Sequence, residues 1–136
     1  MLLTRFSEQI PENLPSSVRH FPYIPFSELL PRSAAVVHHG GIGSTAQGLA
    51  AGVPQLLMPL AHDQFDNAAR LKQFGVGDWE KPSKFTTRAV TKKLGHLLES
   101  DAVRSHCEEI RNKLSKRDGL ARAAAEIDGF ADSNGG

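Results

Sequence analysis

Apolar positions along the chain change their period several times, and each change marks an element. "LLT" (residues 2 to 4) reads as the end of a buried strand, and "VRHF", after the loop "PENLPSS", reads as a short second one. Pro22, Pro25 and Pro31 interrupt the next stretch and leave room for one helical turn in "FSELL", with Ser27 as candidate N-cap. "AAVV", Ala34 to Val37, is a continuous apolar run that suits a parallel strand buried on both faces. Gly40, Gly41 and Gly43 follow. From about Ser44, Ala46, Leu49 and Ala50 recur at helical spacing until Gly52. "PQLLMP", Pro54 to Pro59, is the next buried strand, a proline at each end. Asp63 is placed to cap a helix whose apolar side comprises Phe65, Ala68, Ala69, Leu71 and Phe74, with Gly75 as terminator.

Beyond Trp79, expected to pack at the sheet edge, the pattern turns wholly helical. Val90, Leu94, Leu97 and Leu98 make one stripe; Val103, Cys107, Ile110 and Leu114 make another. A third helix is expected after Asp118 and Gly119, with Leu120, Ala124 and Ile127 facing inward. Strands alternating with helices predict an α/β fold, a Rossmann-like doubly wound parallel sheet with terminal helices packed against it. One domain over residues 1–131 is expected, followed by a disordered tail, "DSNGG", at 132–136. The abrupt start inside a strand reads as a cut, so the chain is expected to be part of a longer one.

Composition narrows the class. With 40% hydrophobic and 23% charged residues and a net charge of +1, the 136-residue chain has the balance of a soluble globular protein and not of a general nucleic-acid binder. Residues 1–80 hold 5 Lys/Arg against 7 Asp/Glu, and residues 81–136 hold 11 against 8, a mild basic bias that reads as a solvated face of the C-terminal helices. A single cysteine, Cys107, excludes an internal disulfide and fits a reducing compartment. No stretch approaches the roughly 20 apolar residues that span a bilayer, and the N-terminus lacks a signal-peptide pattern. The expected location is cytoplasmic.

Strand, glycine turn and helix together make a phosphate-site geometry: helix-terminal N–H groups lie unpaired, and glycine lets an anion approach them. A P-loop would need a lysine beside Ser44, and the chain has no lysine there. "GIGSTA" matches the dinucleotide fingerprint, with Asp63 about 20 residues on. That keeps NAD as an alternative ligand, although Asp63 opens a helix instead of closing a strand and the fingerprint gives His39 no task. A nucleotide diphosphate carrying a sugar uses the remaining residues, since an imidazole can donate to a diphosphate and an acid-amide pair suits sugar hydroxyls. His38, His20, His62, His96 and His106 show no metal-ligand spacing and read as structural. No carboxylate cluster stands near the glycine turn, so neither metal nor cofactor is expected.

The segment from Tyr23 to Gly77, "YIPFSELLPRSAAVVHHGGIGSTAQGLAAGVPQLLMPLAHDQFDNAARLKQFGVG", resembles the donor-binding motif of family 1 UDP-glycosyltransferases, especially the bacterial antibiotic and sterol branch. The resemblance implies the C-terminal half of a GT-B fold that binds a UDP- or dTDP-sugar. It assigns His39, Gly41, Gly43 and Ser44 to the diphosphate, Tyr23, Ile24 and Gln47 to the base and ribose, and Asp63 and Gln64 to a hexose. Tyr23 stands where the family has a base-stacking tryptophan, and Gln47 where many plant members have a glutamate. The general base is expected in an N-terminal acceptor domain, or in a separate acceptor subunit of a split transferase, so no catalytic residue is assigned here and the chain alone is expected to be inactive.

Overall fold

The computed structural model describes residues 1–116, with Ala124 and Ile127 beyond them. Among the described residues, five short strands, all paired in parallel, fall into two sheets. Strands β1 (Leu2–Leu3) and β2 (His20–Phe21) form one; β3 (Val36–His38), β4 (Gln55–Leu57) and β5 (Gly77–Trp79) form the other, in that order. The α/β class and the parallel pairing are as expected, but the strands do not join into one sheet.

Strand β4 lies at the centre of the three, and Gln55, Leu56 and Leu57 are all buried. Pro54 and Pro59 bracket it, so the ladder has no missing donor inside the strand. Leu56 and Leu57 point to opposite faces and each is fully buried, which at about 2 kcal/mol per leucine makes β4 the hydrophobic axis of the chain. The core continues through Leu71, Val76, Leu97, Val103 and Cys107. Burial pushes the Cys107 thiol up to about 11, with Glu108 adding to the shift, so at neutral pH it packs as a small apolar group.

Helix α1 (Phe26–Leu29) follows β2 and runs on as a 3-10 turn to Arg32; α2 (Ile42–Ala51) joins β3 to β4, and α3 (Gln64–Gln73) joins β4 to β5. Helix α4 (Thr87–Glu99) packs on β4 and β5, and α5 (Asp101–Ser115) packs on α2. Thr86 and Ser100 cap these last two, their hydroxyls accepting from the Ala89 and Val103 N–H groups at 3.3 Å.

Several expectations need correction. Ser27 lies inside α1, whose N-cap position is Pro25. Val37 is 46% exposed, because β3 is an edge strand open to a groove between the two sheets, lined by Leu2, Leu3 and Val36 among others. Helix α2 begins at Ile42, two residues before Ser44, and buries Thr45 and Gly48 in place of Ala46 and Ala50. On α3 only Ala68 and Leu71 are buried; Ala69, Phe65 and Phe74 are exposed. Strand β5, absent from the sequence reading, carries Trp79, whose ring meets Phe65 edge to face at 6.1 Å on the sheet's outer edge. Ala124 and Ile127 are helical and exposed, not inward-facing. The other residues of the expected third helix and the expected 132–136 tail lie outside the described residues.

Candidate functional site at the glycine turn

The turn between β3 and α2 requires its glycines for identifiable reasons. Gly40 adopts φ +93°, a left-handed conformation that side chains disfavour, and a Cβ there would also stand 2.8 Å from Leu57 Cδ2. Gly41 is the N-cap in extended conformation (φ −60°, ψ 143°), and its carbonyl accepts from the Thr45 N–H at 3.0 Å. The N–H groups of Ile42, Gly43 and Ser44 therefore precede the first helical bond and have no partner within the helix. A Cβ on Gly41 would lie 2.6 Å from His39 Nε2. The missing side chain at Gly41 is what lets the His39 imidazole lie against the mouth of the helix.

His38 performs a different task. Its Nδ1 accepts from the Gly40 N–H at 3.0 Å, which places the ring proton on Nε2, 2.8 Å from Gln55 Oε1. The Gln55 amide in turn donates to the Thr45 carbonyl at 3.2 Å from a fully buried position in β4. Strand, turn and helix are thus joined by one chain of hydrogen bonds, and both His38 nitrogens are consumed by it. His38 is structural, as the sequence suggested. Gln55, the partner that makes it so, was read only as part of an apolar strand; a glutamine in the middle of "PQLLMP" was the available signal.

Burial pushes the His38 imidazole below its usual 6.5, the nearby His39 acts in the same direction, and the Gln55 hydrogen bond opposes them. Since the folded value is lowered, the unfolded chain binds the extra proton first. Folding stability is then fully present above pH 6.5 and decreases as the pH falls through that value. Asp78, raised by burial but brought down overall by bonds from Lys93, Trp79 N–H and Lys72, ends below its ordinary 3.8 and acts only in more acid solution. Denaturant unfolding at pH 8, 7, 6 and 5 is expected to show a decline confined to the lower half of that range; a flat profile would remove His38 from the account.

The loop before α3 reaches the same turn. Asn67 Nδ2 donates to the Gly40 carbonyl and to Asp63 Oδ2, each at 2.9 Å. Gln64 Oε1 accepts from the N–H groups of Leu60 and Ala61, at 2.8 and 3.2 Å. Asp63 occupies the N-cap position of α3 but makes no side-chain cap bond, because its carboxylate is turned to Asn67. Capping, the plainer reading of Asp63, is therefore not what the carboxylate does. Asn67 was missed in the sequence, where it looked like one more polar position on an amphipathic helix.

Tyr23, Ile24 and Gln47 line one cavity of about 350 Å³, so the structure brings these three together. Tyr23 is 63% exposed. His39 and Ser44 line the larger groove between the sheets, beside the helix terminus. Among the described residues, no three His, Cys, Asp or Glu side chains are grouped as a metal site. No helix among those residues is long and apolar enough to cross a membrane.

Comparison with solved structures identifies the class. The chain superposes on the glycosyltransferase VinC, solved in complex with DTDP, with a TM-score of 0.84 at 27% identity, over 90% of this chain and 31% of that one. The spinosyn forosaminyltransferase SpnP gives 0.84 at 27% identity, over 90% and 33%. These are GT-B glycosyltransferases. Residues 3–124 match the erythromycin biosynthesis protein CIII-like, C-terminal domain, and the chain belongs to that family of glycosyltransferase C-terminal domains.

Relatives of known activity agree with this placement. The aclacinomycin-T 2-deoxy-L-fucose transferase of Streptomyces galilaeus is 36% identical over 103 residues, 74% of this chain and 23% of that protein. A sterol 3-beta-glucosyltransferase of Saccharomyces cerevisiae is 32% identical over 115 residues, 85% and 9% respectively. The chain thus spans less than a quarter of either relative.

Proposed function

We propose that this chain is the nucleotide-sugar binding domain of a glycosyltransferase that moves a hexose from a UDP- or dTDP-sugar to an acceptor hydroxyl. One observation carries the reading. The unpaired N–H groups at the start of α2, the His39 imidazole against Gly41 and the Asp63-Gln64 loop converge on one glycine turn, held there by Asn67. In this assignment the diphosphate takes the N–H groups of Gly43 and Ser44 beside Gly41, and His39 donates to it as negative charge develops on the leaving group. The sugar hydroxyls meet Asp63 and the Gln64 amide N–H₂, whose carbonyl side is engaged within its own loop. Tyr23, Ile24 and Gln47 take the base and ribose.

The complex of VinC with DTDP supports a pyrimidine diphosphate. Transfer also needs a general base beside the acceptor. We assign that base to an acceptor-binding domain or subunit beyond this chain, which predicts that the chain alone binds donor without turnover. The lone thiol Cys107 suits a reducing, cytoplasmic setting.

Calorimetric titration with UDP-glucose, UDP, dTDP and NAD tests the proposal. Saturable binding of the pyrimidine diphosphates is expected, weakened at least tenfold by His39→Ala, an amount in the range of one charge-assisted hydrogen bond. NAD should not bind. Binding of NAD in preference to the pyrimidine ligands would replace the transferase reading with the dinucleotide one.

A further inference from the structure

Resting on the donor reading above, we propose that Arg5 is a specificity-determining residue at the base end of the site, recognising the carbonyl edge of a uracil or thymine. Arg5 comes from the turn after β1, a segment to which the donor reading gives no task. It nevertheless lines the same cavity as Tyr23, Ile24 and Gln47. Its guanidinium carbon stands 5.3 Å from the centre of the Tyr23 ring, a cation–π contact too close to admit a third ring between the two.

The turn that presents Arg5 is built, not loose. Thr4 is held on three sides: its carbonyl lies 2.9 Å from His20 Nε2, its hydroxyl accepts from the Phe6 N–H at 3.2 Å, and the same hydroxyl donates to Gln9 Oε1 at 2.9 Å. Among the described residues no carboxylate pairs with Arg5, and no acceptor takes its N–H groups. A planar cation with five donors therefore stands over an exposed aromatic face and, among the described residues, has no protein acceptor.

A ligand base entering this cavity meets the guanidinium at its edge. Uracil and thymine offer a carbonyl oxygen at C4, which accepts from the guanidinium. Cytosine puts an amino donor at the same position, and two donors facing one another gain nothing. UDP and CDP share ribose and diphosphate but differ on the base edge at C4, carbonyl against amino, and at N3, N–H against a lone pair, so the contact is read from the change in their affinity ratio between the unmodified chain and the Arg5 variants.

The experiment is titration of the 136-residue chain and its Arg5→Ala and Arg5→Lys variants with UDP and CDP. The expected result is a preference for UDP of at least about tenfold in the unmodified chain, reduced about tenfold in Arg5→Ala by a loss confined to UDP. Arg5→Lys, which keeps the charge but lacks the planar fork, should retain only part of the preference. Arg5 is exposed, so thermal unfolding of the variants should shift by no more than about 2 °C. If Arg5→Ala unfolds, the ratio is read from Arg5→Lys. An unchanged UDP to CDP ratio, or equal weakening of both, would overturn the inference and leave Arg5 as a general attractant for anions. Failure of the unmodified chain to bind either nucleotide would instead overturn the donor reading, and the assignment of Arg5 with it.

Discussion

Gly48→Ala is expected to destabilise the chain by about 3 kcal/mol, a large share of the total stability of a domain this size. Helix propensity alone predicts the opposite sign, since alanine is favoured over glycine in a helix interior by about 1 kcal/mol. Packing reverses it. A Cβ at Gly48 would lie 2.5 to 2.7 Å from Cδ, Nε2 and Oε1 of Gln55, whose amide is fully buried and cannot swing into solvent. Either α2 lifts from β4, or the amide shifts and leaves His38 Nε2 and the Thr45 carbonyl without partners. The two routes cost about 1–3 kcal/mol each, by overpacking or by unsatisfied polar groups. Gly95→Ala in α4 is the control, because nothing lies within 4 Å of an added Cβ there; it should be neutral or stabilising by up to about 1 kcal/mol. The denaturant midpoint should fall for Gly48→Ala and stay level or rise for Gly95→Ala. Equal shifts would show that the Gln55 contact does not govern Gly48.

The second large effect is on binding, not stability. Gly41→Ala should reduce affinity for UDP by about ten- to a hundredfold while altering folding stability by less than about 1 kcal/mol. The backbone at Gly41, φ −60° and ψ 143°, is open to any residue, and the poorer N-capping of alanine costs up to about 1 kcal/mol against glycine. The conflict lies with His39, whose Nε2 stands 2.6 Å from where the methyl group would be. The imidazole must leave the helix mouth, taking one donor away from the proposed diphosphate, and the methyl group stands in the path of the anion. Titration and unfolding of the same variant check the two halves of this statement. A fully retained affinity would mean that His39 does not work from the position it holds here.

Much of this architecture was legible in the sequence, and its legibility followed from period and punctuation. Strand β4 was marked by a proline on each side of a buried run, and the terminations of α2 and α3 were marked by Gly52 and Gly75, both found in left-handed conformation. The glycine turn was legible because strand, glycines and helix stand in an order that few other structures need. Strand β5 was not, since "GDW" has neither alternation nor an apolar run; it is a strand because β4 offers it an edge and α3 covers it. The burial of Val37 was overestimated for a related reason: an apolar run specifies a buried strand only if neighbours exist on both sides. Candidate ligand residues could be named from spacing and resemblance, whereas the residues that hold them could not. Gln55 and Asn67 act through contacts 17 and 27 residues away in sequence, and single-sequence patterns carry no signal at such range.

The two protons of one side-chain amide, that of Asn67, are divided between the turn after β3 and the loop before α3. In mechanical terms this is a strut. The glycine turn and Asp63 cannot drift apart without breaking one of its bonds, so the distance between the two segments is fixed before any ligand arrives. Under the proposed assignment such a site measures length, because the spacing between a donor's phosphate and its hydroxyls has to match the span that Asn67 sets between the glycine turn and Asp63. Altered sugar preference is then to be sought by changing the span at Asn67 as much as by changing the groups at its ends.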